Sequence, residues 1–160
     1  MTTSYSVIPA QESDVAEIVR LSLELGYPTT VEQTRKTLKV MLSSPNYLAI
    51  VASTQAEQLI GWAVAERRIS LESGESVELT GLIVSHAARL TGVGRALVSA
   101  TENWAIQNGF SAIRVRSNIA RSESHPFYER LGFERAKTQH VYKKPLVPTI
   151  SSHGLAALRE

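Results

Sequence analysis

The stretch VELTGLIVSHAARLTGVGRALVSATENWA, Val77–Ala105, decides the fold. Leu82, Ile83 and Val84 close a run of branched and apolar residues that predicts a strand. A polar break follows. Then Val93, Ala96, Leu97, Ala100 and Trp104 recur at three- and four-residue steps, the period of a helix with one apolar face. Between strand and helix lies Arg89-Leu90-Thr91-Gly92-Val93-Gly94. Glycines let backbone N–H groups approach a ligand closely, and the first turn of a helix offers unpaired donors and partial positive charge. Phosphate or pyrophosphate is the natural guest, with Arg89 and Arg95 adding charge on either side. The same letters also suit a tight turn ahead of an ordinary core helix. Rival phosphate motifs fit worse: there is no G-x-x-x-x-G-K-S/T, and Leu97 stands where the dinucleotide fingerprint has its third glycine.

Working outward, Tyr5–Ile8 predicts a first strand, ended by Pro9. Ser13 or Asp14 caps a helix whose apolar face is Val15, Ile18, Val19, Leu21, Leu23 and Leu25, and Gly26 stops it. Thr30 caps a second helix carrying Val31, Thr34, Leu38, Met41 and Leu42. Tyr47–Ala52 and Leu59–Arg68 read as strands, with a hairpin turn at Glu72–Glu75 before the pivotal strand. Asn108-Gly109 forms a C-cap with Phe110 tucked behind it. Ala112–Arg116 is a strand. A short helix around Pro126–Leu131 takes its cap at Ser124, because proline belongs in a first turn. Gly132–Glu134 and Gln139–Lys143 are expected to close the sheet. The order is β-α-α-β-β-β-α-β-α-β-β, an α/β chain with one mixed sheet. Residues 1–146 read as a single domain, and 147–160 as a flexible tail, in which Leu155, Ala156 and Leu158 allow one helical turn.

At 160 residues the chain suits one domain with a sizeable core. A formal charge of +2 is too small to argue for nucleic acid, although it accommodates an anionic ligand. The absence of cysteine excludes disulfides, thiolate metal sites and an acyl-cysteine intermediate. His86, His125, His140 and His153 lack metal-ligand spacing, so no metal is expected. No apolar run has membrane-spanning length, and Met1–Tyr5 lacks the charged and apolar regions of a signal peptide; a cytoplasmic location is expected.

Strand, V-S-x-x-x-R-x-x-G-x-G-R-A-L and helix resemble the acyl-coenzyme A signature of the GNAT superfamily of N-acetyltransferases. A second block, Ser117-Asn118-Ile-Ala-Arg121-Ser-Glu-Ser-His125-Pro-Phe127-Tyr128-Glu-Arg-Leu131-Gly132-Phe133, resembles that family's next motif. The resemblance implies a mostly antiparallel sheet flanked by about four helices, with acetyl-CoA as acyl donor. It implies transfer to a primary amine of a small molecule by direct attack, which the missing cysteines suit. It also implies a pyrophosphate site at Arg89, Leu90, Thr91, Gly92, Val93, Gly94, Arg95 and Ala96, and a pantetheine arm paired beside Leu82, Ile83 and Val84. Gly81 is the expected place of a bulge that opens the sheet there, or else of a plain packing gap.

Tyr128 falls where the family keeps its general-acid tyrosine; the alternative is a half-buried core tyrosine beside Phe127. Asn118 resembles a residue bonding the pantetheine arm, and Arg121 approaches a phosphate or caps the next helix; both also suit ordinary loop chemistry. Glu78, at a position where some relatives carry a catalytic glutamate, is the candidate base, directly or through water; otherwise it is a solvent-facing strand residue. Tyr27, Glu24 and Glu32 are the acceptor-side candidates, the two glutamates being equally ordinary helix-surface residues. The S-N-x-x-R, F-Y-x-x-L-G-F and L-G-Y-P segments resemble bacterial members acting on small amines, aminoglycosides included. Two alternatives stay open: a protein or peptide N-acetyltransferase, and a non-catalytic acyl-CoA sensor. Monomer and homodimer are both compatible with the sequence.

Overall fold

The structure, a computed structural model, describes residues 3–148. The expected turn at Leu155, Ala156 and Leu158 and His153 lie outside the described residues. Five strands form one sheet in the order β1-β2-β3-β4-β5: β1 (Tyr5–Pro9), β2 (Tyr47–Thr54), β3 (Leu59–Ser70), β4 (Gly74–Val84) and β5 (Ile113–Val115). The first four are antiparallel, and β5 joins β4 in parallel. Four helices complete the fold: α1 (Val15–Glu24), α2 (Val31–Leu42), α3 (Val93–Gln107) and α4 (Ser124–Arg130).

Strand alternation divides the core between two faces. On β2, Ala49 and Val51 pack with Val15, Val19 and Leu21 of α1 and Leu38 of α2. Ile50 and Ala52 pack on the other face with Val93, Leu97 and Val98 of α3. A side-chain period of two puts neighbours on opposite faces, so both layers are built from one apolar run. Gly61 lets α3 settle on the sheet: a β-carbon there would stand 2.9 Å from the Ile83 carbonyl oxygen and 3.1 Å from Leu97.

On β4 the alternation breaks. Val64 of β3 pairs with Gly81, but Ala65 pairs with Leu79, so Thr80 is an extra residue. That bulge resets the phase, and Leu79 and Leu82, three apart, both face α3. The expected bulge thus sits beside Gly81, on Thr80.

Local chemistry sets the helix ends. Thr30 Oγ1 accepts the Gln33 N–H at 3.1 Å, as expected for its cap. Asn108 ends α3, Gly109 takes φ +84°, and the Phe110 N–H returns to the Ala105 carbonyl at 3.0 Å. Three expectations need correction. Helix α1 follows a single 3-10 turn at Glu12–Asp14, and the Asp14 carboxylate accepts the Gln11 N–H rather than a helix donor. Leu23 is exposed, because its position turns away from the core. Helix α4 begins at Ser124, so Glu123 is the flanking residue and Pro126 lies within the first turn; the turns Arg121 N–H to Asn118 and Ser124 N–H to Arg121 already wind the chain ahead of it.

The expected closing strands at Gly132–Glu134 and Gln139–Lys143 do not form among the described residues. A strand needs an edge to pair with, and β5 offers only three residues. Val141 and Tyr142 are left exposed.

Candidate active site

The β4 ladder with β5 stops at Leu79, while β4 itself runs on to Val84. Thr80–Val84 therefore keeps an edge without ladder partners on the β5 side, among the described residues. The two strands part where the bulge lies. A cavity of about 460 Å³ opens there, walled by Leu79–Ile83 of β4, Trp62 of β3, Val115 of β5 and Arg116 just past it, Tyr128 of α4 and one face of α1 and α2.

Below the splay, α3 starts at the glycine loop. Gly92 takes φ +89° and Leu90 φ +63°, a left-handed conformation unusual for a leucine. Leu90 is fully exposed, so no packing compensates that conformation. The first intrahelical bond runs from the Ala96 N–H to the Gly92 carbonyl at 3.0 Å. The N–H groups of Val93, Gly94 and Arg95 have no partner among the described residues, as a helix start requires. Arg89 and Arg95 are exposed on either side, and Thr91 gives its hydroxyl to the Ala88 carbonyl, bracing the turn. Within the expected phosphate loop, Arg89–Ala96, the N–H groups of Val93, Gly94 and Arg95 are thus left for a ligand.

Tyr128 lines the cavity and packs edge-on to Phe127 at 5.1 Å and to Phe133 at 5.6 Å between ring centroids. Burial raises its pKa above the ordinary phenol value, and the nearby Arg121 charge partly opposes that rise. A phenol so placed stays protonated at neutral pH.

Glu78 lies elsewhere. Its side chain is 9% exposed, and neither it nor Glu66 lines the cavity. Oε2 accepts from Arg68 Nη1 at 2.6 Å, and Oε1 forms an ion pair with Arg116 Nε at 2.7 Å. Glu66 stands directly across from Glu78 on β3, and Arg68 reaches both. Like charges opposite one another need such a bridge. The hydrogen bond to Glu78 raises the Arg68 pKa further.

Asn118 is occupied in its own loop: Oδ1 accepts the Ala120 N–H at 2.9 Å, and its carbonyl meets His125 Nε2 at 3.2 Å. Arg121 lies over the Tyr27 ring, 4.7 Å from its centroid, on the α1–α2 side of the cavity. Of the acceptor-side candidates, Tyr27 lines the cavity with Pro28 and residues of α1 and α2, but Glu24 and Glu32 do not. Glu24 instead accepts the His86 N–H at 2.9 Å.

Sequence reading overlooked Trp62 and the α2 threonines Thr34 and Thr37, all of which line the cavity. Trp62 sits against Gly81, where any β-carbon would stand 2.6 Å from its ring. Its Nε1 is buried with no partner among the described residues. Nothing local in the sequence marks Glu78 as the partner of Arg116, which lies 38 residues further along the chain.

Against this geometry, residues 14–133 match the family model described as Acetyltransferase (GNAT) family. The chain is 29% identical over 153 residues to the aminoglycoside N(6')-acetyltransferase type 1 of Klebsiella aerogenes, covering 91% of this chain and 100% of that one. Among solved structures, the aminoglycoside 6'-N-acetyltransferase AAC(6')-Ih of Acinetobacter baumannii superposes with TM-score 0.79 at 22% identity, covering 90% and 100% of the two chains. The aminoglycoside N-acetyltransferase AAC(6')-Iy, solved in complex with CoA, gives TM-score 0.81 at 19% identity, over 91% and 98%. With the family motif seated on the splayed sheet and the loop ahead of α3, the chain belongs to the GNAT acetyltransferase family.

Proposed function

We propose that this acetyltransferase moves an acetyl group from acetyl-CoA to a primary amine of a small molecule by direct attack. One observation carries the reading: the splay between β4 and β5 places a free strand edge beside a cavity with Tyr128 on its wall. The relatives support it, being acetyltransferases named for aminoglycosides, one of them solved with CoA.

Acetyl-CoA supplies the activated thioester. The chain's part is to hold, orient and exchange protons. Unpaired N–H groups of Val93, Gly94 and Arg95, with Arg89 and Arg95 alongside, suit a pyrophosphate. The open edge at Thr80–Val84 suits an amide-bearing arm lying as an added strand. Leu82 and Ile83 line the cavity and give that arm an apolar bed, with Val84 next along. In this reading Asn118 shapes the loop before α4 through its turn. Tyr128 gives its proton to the leaving thiolate. The amine passes its proton to water in the cavity, because Glu78 lies outside the lining and both its oxygens are held by arginines.

The test is free-thiol release from acetyl-CoA against a panel of amines and short peptides. Turnover with a small amine and not with peptides is the expected result. Acetyl-CoA binding without turnover of any acceptor would favour a sensor, and preference for peptides would favour a protein acetyltransferase.

A further inference from the structure

The charge on the cavity wall narrows the acceptor. Among the described residues, no aspartate or glutamate lines the cavity. Its charged lining residues are Arg116 and Arg121, and its polar remainder includes Ser22, Gln33 and Thr37. Glu78 is engaged by Arg68 and Arg116, Glu66 by Arg68, and Glu24 by the His86 N–H and Arg20, while Glu32, Glu123 and Glu129 lie outside the lining.

Glu66 and Glu78 balance Arg68 and Arg116. Arg121 remains. It pairs with no carboxylate among the described residues, and its contact is with the Tyr27 face. Stacking uses the flat face of a guanidinium and leaves its in-plane N–H donors for an oxyanion. Its field reaches the Tyr128 phenol, where it counters the effect of burial. Arg116 spends Nε on Glu78, which fixes the side chain and leaves its terminal nitrogens. The cavity lining includes none of residues 89–96, the loop assigned to the pyrophosphate.

We infer that the acceptor is an anion-bearing amine, one with a carboxylate or phosphate near its reacting nitrogen, and that Arg121, backed by Arg116, binds that anion. The inference rests on the acetyltransferase reading above. A polycationic amine meets like charge at this wall with no carboxylate to offset it.

Matched acceptors isolate the anion. With the full chain and acetyl-CoA, thiol release is compared for aspartate against its diamide, and for glucosamine 6-phosphate against glucosamine, with spermine and kanamycin as polycations. The expected result is a kcat/KM at least roughly tenfold higher for the anionic member of one pair, as a charge-assisted bidentate contact provides. The responding pair tells carboxylate from phosphate. Arg121→Gln should erase most of that preference, and Arg121→Lys should keep part of it. Equal rates within both pairs, or a preference for spermine or kanamycin, overturn the proposal. If no acceptor turns over, the same compounds are read by thermal shift on the CoA-loaded chain. Stabilisation by anionic members alone, lost in Arg121→Gln, upholds it; stabilisation by none or by all overturns it. Failure of the acetyltransferase reading has its own signal, the absence of any thermal shift with acetyl-CoA.

Discussion

Gly94 and Phe127 touch across the two motifs: a β-carbon at Gly94 would stand 3.1 Å from the Phe127 ring. The contact joins the first turn of α3 to the helix that carries Tyr128, so the loop and the proton donor are positioned by one packing relationship. Gly94→Val forces Phe127 to move, and Tyr128 with it. Overpacking of this kind costs about 1–3 kcal/mol. Chemical denaturation should show that loss, and kcat should fall more than acetyl-CoA affinity does. Unchanged kcat would show that Phe127 yields without disturbing its neighbour.

Tyr128→Phe keeps the ring and removes the proton donor. Loss of a positioned general acid lowers kcat by roughly 10²-fold or more. The melting temperature should stay within a few degrees, since no hydrogen bond to the hydroxyl occurs among the described residues. Burial raises the pKa of this phenol, so the acid form persists beyond the ordinary tyrosine range and the alkaline fall in kcat should come late. The same shift acts on stability. The folded chain holds the proton more tightly than the unfolded one, so this contribution is complete below the unfolded pKa and is lost as pH rises through the folded one. Phe at this position should remove that alkaline loss.

Glu78→Gln separates two roles. The arginines it holds are 44% and 65% exposed, so water replaces part of what they lose, and a cost of about 1–2 kcal/mol is expected. If Glu78 positions Arg116, the acceptor KM rises while the acidic limb of the kcat profile stays in place. Disappearance of that limb would instead make Glu78 the proton acceptor.

Gly81→Ala places a methyl group 2.6 Å from the Trp62 ring, closer than packed carbons approach. The indole must swing, and it forms part of the cavity wall. About 2 kcal/mol of destabilisation and a raised acceptor KM are expected, measurable by denaturation and steady-state kinetics. A matched Trp62→Phe, Gly81→Ala double variant should recover part of the stability, because the smaller ring makes room.

The periodicity of residues 77–105 was enough to place strand, loop and α3, since a side-chain period switching from two to three-and-a-half is a local property. Thr30, Asn108 and Gly109 were legible for the same reason: caps are settled by side chains and dihedrals within a turn. The two motifs also named Tyr128 and the loop. Long-range facts were not legible. Thr80 rather than Gly81 carries the bulge because register depends on both β3 and β4. Glu78 reads as a candidate base, and no local pattern shows that Arg68 of β3 and Arg116, just past β5, close on its two oxygens. Gln139–Lys143 alternates like a strand, yet β5 is too short an edge to hold it. What the sequence by itself determined is the helices, the first five strands and the family they point to. The tertiary structure alone decided which charges face the cavity, because that depends on which side chains meet across strands far apart in the chain.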